Sequence, residues 1–497
     1  MAQTKKITSK KNNSFIFLCV AIFLVLALTV YVIADGLLMR TDLLKDKTFI
    51  SALQKGLDKY PSQITRDDLS KIKYLAITLN TDTYAGFAMQ IGYDDAVEII
   101  RRDNEAAKAA EESGEEYVPN DDDPTLQDVL KTVEIEEGFI KDFSNLSLFT
   151  NLEYLALYGM ALNNLAYISD ISTLKNLDLQ AISATNFAPI ANITGLNYLS
   201  IKYCVVDDIS VISELTGLEH LALGGSAVED ISSLSGLVNL KTLLLDSCGL
   251  SDVSVLKNYT KLESLSLNSN EVIDISALAK LSSIKQLDLS SNSELSDVSA
   301  LSTMTGLKNL YISSTAITEL PSLENLKKLE DVYLTSNQLE NLEGLGSNKF
   351  IKSLYLGANA ISDISPLGNM AELTDLYLYQ NNIVDISPLG NLKKVVTLDL
   401  SSNQIVEIDA LSEMTALENL SLKGNYIENV SVFSNIKNIK YVDFSDNLIE
   451  DFSPIEHLED KDDVFIYGTD EQFMKDDDED EEYEDDDHDD HEGHDHD

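Results

Sequence analysis

Four histidines lie in the last ten residues of the sequence, within the segment HDDHEGHDHD. Neutral imidazoles interleaved with carboxylates suit zinc and other transition metals. The tract offers no second layer of residues that would hold the imidazole rings in place. We therefore predict weak metal capture or simple solubilisation rather than a tight metal site. The candidate ligands are His488, His491, His494 and His496.

Tyrosines recur every 22 residues over one part of the chain, and an aromatic row of this kind is a candidate binding surface. The sequence contains no tryptophan, so tyrosine is the best aromatic anchor that it offers. Neighbouring aspartates favour a ligand with cationic and flat parts, or a sugar polymer that lies on the rings. Alternatively, aromatic residues on one sheet face stabilise each other without any ligand. The candidate residues are Tyr311, Tyr333, Tyr355, Tyr377 and Tyr379, with Asp331 and Asp375.

Catalytic motifs are missing from the sequence. It holds no GxSxG, HExxH, CxxC pair or phosphate loop, and its carboxylates are spread by a repeat rather than paired at one place. Only the segment 80–128 departs from that repeat enough to supply residues for a deep pocket. We therefore predict a binding protein and not an enzyme, without a firmly bound cofactor.

The elements that position the tyrosines come from a repeat of 22 residues with the template LxxLxLxxNxIxDIxxLxxL. A fixed period of this length is typical of a solenoid, in which each unit stacks on its neighbours to bury an apolar side. One step is a residue longer, because Ser293 and Glu294 extend a turn. Fifteen units open at Leu130, Leu152, Leu174, Leu196, Leu218, Leu240, Leu262, Ile284, Leu307, Leu329, Ile351, Leu373, Val395, Leu417 and Ile439.

Each position of the repeat has its own environment. Apolar residues at positions one, four and six are expected to point inward, and the asparagine at position nine to bond the backbone of adjacent turns. Positions three, five and seven alternate with them and form what we call the odd-position face, which carries the candidate tyrosines. A weaker aromatic group on this face comprises Tyr154, Tyr158, Tyr198 and Tyr203. The asparagine is kept at Asn270, Asn292, Asn337, Asn359, Asn381, Asn403, Asn425 and Asn447.

Cys204 and Cys248 occupy the asparagine position in two units that are separated by a third unit. Strands of a sheet lie about 4.8 Å apart, so these residues are expected roughly 9–10 Å from each other, too far for a disulfide. We predict that both are buried thiols that replace the asparagine.

Units such as LTDLYLYQNNIVDISPLGN resemble the repeats of the bacterial internalin-like leucine-rich repeat proteins, and ITRDDLSKIKYLAI resembles their N-terminal cap. The resemblance implies an α/β solenoid, namely a curved, right-handed leucine-rich repeat with a parallel sheet on its concave side. It further implies 3₁₀ turns or loops on the convex side, a helical N-terminal cap, and a binding role at the surface of a Gram-positive bacterium. No LPxTG-type sorting signal or immunoglobulin-like domain follows the repeats, so sortase attachment and host invasion are not expected.

The flanking segments indicate export. Four lysines precede an uncharged run from Phe15 to Ala34, which is long enough to span a bilayer and also suits a cleaved signal. The predicted segments are 1–34, a transmembrane anchor or signal; 35–79, a helical N-terminal cap; 80–129, an acidic, partly helical insertion; 130–467, the solenoid of fifteen repeats with a terminal strand; and 468–497, a disordered Asp/Glu/His-rich tail.

The charge balance restricts the partners. The net charge is −48, from 84 acidic against 36 basic residues, and it repels the phosphates of nucleic acids. We predict an exported, membrane-associated protein at the cell membrane or cell surface whose odd-position face, expected on the concave side of the sheet, recognises a protein or a surface polymer. The alternative is an envelope protein that binds or buffers zinc through its tail.

Overall fold

The computed structural model describes residues 46–469 except 61–62, 80–86, 114–122, 136–139, 141, 163–164, 185, 207, 347 and 460–462. The predicted anchor or signal segment (1–34) lies outside these residues, as does the tail from residue 470 onward. None of the described helices is long and apolar enough to cross a bilayer.

Helix α1 (Lys47–Leu57) lies in the segment predicted as a helical cap. It begins where Asp46 Oδ1 accepts the backbone N–H groups of Thr48 and Phe49 at 2.9 and 3.0 Å. A carboxylate in this position satisfies N–H groups that have no partner within the helix. Phe49 and Leu53 are fully buried, so one face of α1 contributes to the core, as the spacing of these residues predicts.

Helix α2 (Arg66–Ser70) also follows the sequence prediction. Thr65 and Asp68 form a capping box, in which each side chain accepts the backbone N–H of the other residue. The remaining α-helices of the described residues are α3 (Asp94–Ser113), α4 (Leu126–Val129), α5 (Ala166–Ser169) and α6 (Glu456–Glu459).

Strands recur with the period of the repeat. Within a strand the side chains alternate, so that Leu354 and Leu356 are fully buried on either side of the half-exposed Tyr355. The described strands are β1 (Tyr74–Leu79), β2 (Phe87–Gly92), β3 (Lys131–Ile135), β4 (Tyr154–Tyr158), β5 (Asn176–Gln180), β6 (Tyr198–Lys202), β7 (His220–Ala222), β8 (Thr242–Leu244), β9 (Ser264–Ser266), β10 (Gln286–Asp288), β11 (Asn309–Tyr311), β12 (Asp331–Tyr333), β13 (Ser353–Tyr355), β14 (Asp375–Tyr377), β15 (Thr397–Asp399), β16 (Asn419–Ser421), β17 (Tyr441–Asp443) and β18 (Phe465–Tyr467).

The chain divides into two compact units, Met1–Gln338 with Glu343–Asn348, and Leu339–Leu342 with Lys349–Asp497. In the first unit, strands β4 to β12 pair in parallel, each with the strand of the next repeat. In the second unit, strands β13 to β18 do the same. The predicted leucine-rich repeat fold with a parallel sheet is therefore confirmed.

The repeat predicted to open at Leu130 is not the first parallel repeat, and this prediction was wrong. Its strand β3 runs antiparallel to β2, which itself runs antiparallel to β1. The parallel stack passes directly from β1 to β4. Within the predicted insertion, Phe87, Met89 and Ile91 are buried and alternate with other residues. This segment therefore forms a strand that covers the edge of β1, and the helix predicted in the insertion is α3.

Aspartates at position thirteen of the repeat start the 3₁₀ turns. Asp252 Oδ1 accepts the backbone N–H of Ser254 at 2.7 Å, and this bond lowers the pKa of Asp252. Asp385 and Ser387 repeat the contact at 2.8 Å, so these acidic side chains have a structural role. The described 3₁₀ helices are Ser144–Leu148, Ala188–Asn192, Ile209–Ile212, Ser232–Gly236, Ser254–Asn258, Ser276–Lys280, Ser299–Thr303, Glu343–Leu345, Ser365–Asn369, Ser387–Asn391, Asp409–Glu413, Ser431–Asn435 and Ser453–Ile455.

The asparagines at position nine form the predicted ladder of hydrogen bonds. Asn403 Oδ1 accepts the backbone N–H of Ile383 at 3.0 Å. Its Nδ2 donates to the carbonyl oxygens of Leu378 and Leu400 at 2.9 and 3.0 Å. Each of these asparagines thereby joins its own 22-residue repeat to the preceding repeat. The same pattern occurs at Asn270, Asn292, Asn381, Asn425 and Asn447. Asn337 differs in that its Oδ1 accepts the backbone N–H of Thr315, while its Nδ2 donates to the Ile312 carbonyl as expected.

Cys204 and Cys248 are buried free thiols, as predicted. The Cys248 thiol donates to the Leu223 carbonyl at 3.3 Å. One repeat later, Asn270 Nδ2 donates to the Leu245 carbonyl in the same way. Burial raises the pKa of Cys248 to about 11, so the sulfur stays protonated and neutral.

Cys248→Asn is expected to raise the free energy of unfolding by about 1 kcal/mol, because an amide is a stronger donor and acceptor than a thiol. Cys248→Ala removes the donor and is expected to lower the free energy of unfolding by about 1–2 kcal/mol. Urea unfolding followed by circular dichroism would measure both changes. If the Cys248→Asn protein were less stable than the Cys248→Ala protein, the interpretation that the thiol takes the place of the ladder amide would be contradicted.

Candidate functional site

Short strands position the candidate tyrosines. In β13 and β14 the middle residues, Leu354 and Leu376, are fully buried, while the first and third residues of each strand are half-buried. Because side chains alternate along a strand, positions three and five point to the opposite face from the core. The tyrosines at position five are thus held on the odd-position face by their buried neighbours.

Three tyrosines lie together on the odd-position face of the second unit. Tyr355 and Tyr377 are direct partners across β13 and β14, and their rings stack with centroids 4.5 Å apart at an angle of 8°. The Tyr379 ring lies across Gly357 of the preceding 22-residue repeat, where the Cβ of any larger residue would collide with it. All three tyrosines are half-buried. We call Tyr355, Tyr377 and Tyr379 the Tyr377 cluster.

Acidic side chains border the Tyr377 cluster. Asp399 is the direct partner of Tyr377 on β15, and it accepts the backbone N–H and the hydroxyl of Ser401 at 2.9 and 2.6 Å. Asp375 lies two residues before Tyr377 on the same face. The pKa of Tyr377 is raised to about 12, chiefly by burial and then by the neighbouring Tyr355 and the charge of Asp375. The cluster therefore combines neutral phenols with nearby carboxylates, which suits a cation placed over a ring.

A second pair of tyrosines lies in the first unit. Tyr311 and Tyr333 stack with centroids 4.6 Å apart at an angle of 19°. Asp288, the partner of Tyr311 on β10, accepts the Ser290 backbone N–H at 2.9 Å, and burial raises its pKa. Asp331 begins β12 and is half-buried. Three of the seven predicted residues, Tyr311, Asp331 and Tyr333, thus lie in the first unit. The other four, Asp375 and the three tyrosines of the Tyr377 cluster, lie in the second unit.

The weaker aromatic group does not form an exposed surface. Tyr158 and Tyr198 are each only 8% exposed, and Tyr154 is half-buried. Tyr203 is 68% exposed. The prediction of a second aromatic surface was therefore wrong for Tyr158 and Tyr198. The Tyr158 hydroxyl donates to Asp178 Oδ2 on the neighbouring strand at 2.8 Å, so this ring reaches across the sheet instead of standing free in solvent.

Two residues of the Tyr377 cluster's surroundings were not predicted as part of a site. Asp399 continues the position-five column beyond Tyr377, and Gly357 provides the space that the Tyr379 ring occupies. The signal for Gly357 is present in the sequence, because a glycine stands at position seven of the unit before the one that carries Tyr379.

The predicted zinc ligands of the tail lie outside the described residues. Among the residues that the structure describes, no three His, Cys, Asp or Glu side chains are close enough to hold a metal ion. The expectation of weak zinc binding depends on the sequence of the tail alone.

Comparisons with known proteins agree with the repeat. A family model described as "Leucine Rich repeats (2 copies)" matches residues 260–303, 305–347 and 371–413. No curated protein shows a significant match to the chain.

Among solved structures, an internalin (inlF) from Listeria monocytogenes is 28% identical, with a TM-score of 0.54 over 58% of this chain and 85% of that one. The functional domain of InlJ from the same organism is 20% identical, with a TM-score of 0.50 over 61% of this chain and 70% of that one. The Toll–Spatzle complex of Drosophila contains a chain that is 17% identical, with a TM-score of 0.54 over 62% of this chain and 45% of that one.

The InlJ domain and the chain in the Toll–Spatzle complex have low sequence identity to this chain, so their similarity shows a shared fold alone. The internalin shares more of its sequence with this chain and is matched over most of its own length. Taken with the repeats, this likeness shows that the chain has a leucine-rich repeat fold similar to that of the internalin.

Proposed function

We propose that this protein is an exported, non-catalytic scaffold that recognises a protein ligand through the Tyr377 cluster. The observation that carries the proposal is the stack of Tyr355 on Tyr377, with ring centroids 4.5 Å apart, at half-exposed positions of a sheet face. Large aromatic side chains that are accessible at the middle of a surface are the usual energetic centres of protein interfaces.

A purely structural role explains the cluster less well. Cross-strand aromatic pairs contribute only about 0.2–1 kcal/mol to the stability of a sheet. Against that gain, accessible aromatic rings promote unwanted association. The arrangement of Tyr379 over Gly357 adds a third ring to the same surface, which enlarges the aromatic area available to a ligand.

The charge around the cluster indicates the chemistry of the ligand. Asp375 and Asp399 border the rings, and the whole chain carries a net charge of −48. Basic segments of a partner protein are attracted to such a surface, and an Arg or Lys side chain gains a further contact over a tyrosine ring. A chain of similar fold was solved in the Toll–Spatzle complex, which supports a protein as the ligand of such a scaffold.

Export is part of the proposal. The uncharged run from Phe15 to Ala34 follows four lysines, an arrangement typical of a signal or membrane anchor. Attachment at the membrane or release to the cell surface would place the repeats outside the cytoplasm, where a binding surface meets external partners.

Affinity capture tests this proposal. The full chain is used as immobilised bait for envelope and secreted proteins and, separately, for cell-wall polysaccharide. We expect a protein with a basic surface to be retained by the wild type, to be released by salt, and to be lost when Tyr355 and Tyr377 are replaced by Ala. Retention of the same protein by this variant, or retention of polysaccharide alone, would contradict a protein ligand at the Tyr377 cluster.

The tail supports a second candidate function, because HEGHDH places three histidines among carboxylates. The segment also resembles the HxxHxH pattern of streptococcal histidine-triad surface proteins. Under this proposal the protein buffers zinc in the envelope. Calorimetric titration of the full chain with zinc is expected to give micromolar or weaker sites that disappear when His488, His491, His494 and His496 are replaced by Ser. Binding that survives all four replacements would assign the zinc to another part of the chain.

A further inference from the structure

A second aromatic group lies on the odd-position face of the second unit, on strands β17 and β18. Phe465 and Tyr467 are in direct cross-strand register with Tyr441 and Asp443, the residues at positions three and five of β17. The rings of Tyr441 and Tyr467 lie 5.6 Å apart at an angle of 44°. Phe465 and Tyr467 are 61% and 51% exposed, so two of the three rings are open to a ligand. We call Tyr441, Phe465 and Tyr467 the Tyr467 cluster.

One row of side chains connects the Tyr377 cluster with the Tyr467 cluster. The position-five residues of β14 to β17 and the last residue of β18 are in direct cross-strand register. Adjacent strands lie about 4.8 Å apart, so the row is about 19 Å long. It has a tyrosine at each end, a carboxylate next to each tyrosine, and a serine in the middle. We call these five residues the Tyr377–Tyr467 row: Tyr377, Asp399, Ser421, Asp443 and Tyr467.

The two carboxylates of the row are held in defined orientations. Asp399 Oδ1 accepts the backbone N–H of Ser401 at 2.9 Å, and Asp443 Oδ1 accepts the backbone N–H of Ser445 at 2.9 Å. A side chain that is already oriented loses less conformational freedom when it binds a ligand. The row therefore presents two preorganised negative charges between two aromatic ends.

The carboxylates act electrostatically on both clusters. Burial first, and then Asp443, Tyr467 and Asp399, raise the pKa of Tyr441. Asp399 also contributes, after burial and nearer neighbours, to the raised pKa of Tyr377. The phenols of both clusters therefore stay neutral beside charged carboxylates, an environment that attracts cationic side chains.

A lysine close to the row does not cancel its charge. Lys423 follows the middle residue, Ser421, by two positions, and its ammonium group pairs with Asp446 at 3.4 Å. Asp446 lies outside the row, so the pair is neutral by itself. Since the whole chain carries a net charge of −48, a ligand of the row is expected to bring positive charge.

The spacing of the row matches that of an extended peptide that runs across the strands. Alternate side chains of such a peptide point to the same side and lie about 6.6 Å apart. In a heptapeptide, the four side chains on one side therefore lie at about 0, 7, 13 and 20 Å. The tyrosines at the ends of the row lie at about 0 and 19 Å, and its carboxylates at about 5 and 14 Å. Lys and Arg have long stems that cover the small differences at the inner positions.

We propose that the Tyr377–Tyr467 row binds an extended segment of a partner protein with the pattern aromatic–x–basic–x–basic–x–aromatic. The inference rests on the proposed function of the Tyr377 cluster and adds the Tyr467 cluster as a second anchor. Each outer aromatic side chain packs against the tyrosine at one end, and each inner basic side chain pairs with one carboxylate. A second copy of this chain is a poor occupant, because its net charge of −48 is repelled by the same carboxylates.

Calorimetric titration of the full chain with two synthetic peptides tests the proposal. Acetyl-Phe-Ser-Lys-Ser-Lys-Ser-Phe-amide has the proposed pattern, and acetyl-Phe-Phe-Ser-Ser-Ser-Lys-Lys-amide has the same composition and charge without the spacing. We expect saturable binding of the first peptide and at least about tenfold weaker binding of the second, because only the first reaches both aromatic ends. Equal binding of the two peptides, or no saturable binding of the first, would overturn the proposal.

Variants of the full chain separate the two anchors. Tyr467→Ala is expected to weaken binding of the first peptide by at least about tenfold, whereas Tyr467→Phe keeps the ring and is expected to stay within about threefold of the wild type. Tyr426→Ala removes an exposed tyrosine outside the row and is expected to leave binding unchanged. If Tyr467→Ala binds normally and only the replacement of Tyr355 and Tyr377 abolishes binding, the second anchor is overturned and the proposed function stands. If only Tyr467→Ala abolishes binding, both proposals fail.

Two further measurements complete the test. Thermal unfolding of each variant shows whether the native state is retained, and the comparison of the two peptides on the wild type stays decisive if Tyr467→Ala fails to fold. Sedimentation of the wild type without peptide is expected to show a monomer. A dimer that Tyr467→Ala dissociates would assign the row to self-association and would overturn the proposal.

Discussion

Asn403→Ala is expected to lower the free energy of unfolding of the second unit by about 3 kcal/mol. The largest part comes from the Ile383 N–H, which Asn403 Oδ1 accepts at 3.0 Å and which would be left buried without an acceptor. The carbonyl oxygens of Leu378 and Leu400 lose one bond each but keep those from the neighbouring asparagines, Nδ2 of Asn381 and Asn425, both at 3.0 Å. The missing amide also leaves a cavity, which adds to the loss.

Asn382→Ala provides the matched control. Asn382 is the exposed neighbour of Asn381 on the same turn, and its side chain accepts only a long contact of 3.3 Å from Gln404 Nε2 among the described residues. This replacement is expected to change the free energy of unfolding by about 0.5 kcal/mol or less. Urea unfolding of both variants, followed by circular dichroism, measures the difference. A loss below about 1 kcal/mol for Asn403→Ala would show that the ladder contributes little to stability.

The ladder was predictable because the period of the sequence determines it. In a repeat of fixed length, residues at position nine meet equivalent backbone groups of the preceding repeat, so one asparagine predicts most bonds of the others. Asn337, which bonds the Thr315 N–H instead, is the exception. The same reasoning covers the thiol of Cys248, which bonds the carbonyl of Leu223 in place of an amide. It covers the last described strand, β18, less well: a strand occurs beside Val464 and Ile466 as predicted, but Ile466 pairs with Val442, 24 residues earlier, two more than the period.

Departures from the period were not predictable by that reasoning. The strand β2 has its own alternation of Phe87, Met89 and Ile91, but its direction depends on which edge of β1 is open. A repeat pattern specifies the pairing of successive units and contains no information on an antiparallel strand inserted between two of them. The displaced pairing of β1 with β4 follows from that insertion.

The exposure of the tyrosines depends on their neighbours across the sheet. The period places Tyr158 and Tyr377 on the same face, yet Tyr158 is 8% exposed and bonds the buried Asp178, whereas Tyr377 is half-exposed. The position-five residue of the strand that carries Tyr158 is the small Ala156, whereas the cross-strand partner of Tyr377 is another tyrosine, on which its ring stacks. Cross-strand partners, and not position alone, therefore decide which tyrosines are accessible to a ligand.

Replacement of Tyr355 and Tyr377 by Ala is expected to weaken binding of a ligand captured by the wild type by roughly 100-fold, about 3 kcal/mol. Each ring alone would be a strong anchor. Because the rings stack at 4.5 Å, removal of one also disturbs the other, and the combined loss is expected to be smaller than the sum of the two single losses. Surface plasmon resonance with the captured protein measures the single and double variants.

The corresponding Phe variants separate the ring from its hydroxyl, and Tyr426→Ala is the control for the loss of a tyrosine. Tyr426 is 54% exposed and follows the ladder residue Asn425, away from β16 and the odd-position face. Its replacement is expected to leave affinity unchanged. The Phe variants are expected to keep most of the affinity if the ligand stacks on the rings, because burial of Tyr377 raises its pKa to about 12 and leaves the phenol neutral at physiological pH. Affinity within about threefold of the wild type for the double Ala variant would exclude the Tyr377 cluster as the centre of the interface, since an anchor of this kind contributes about 2 kcal/mol or more.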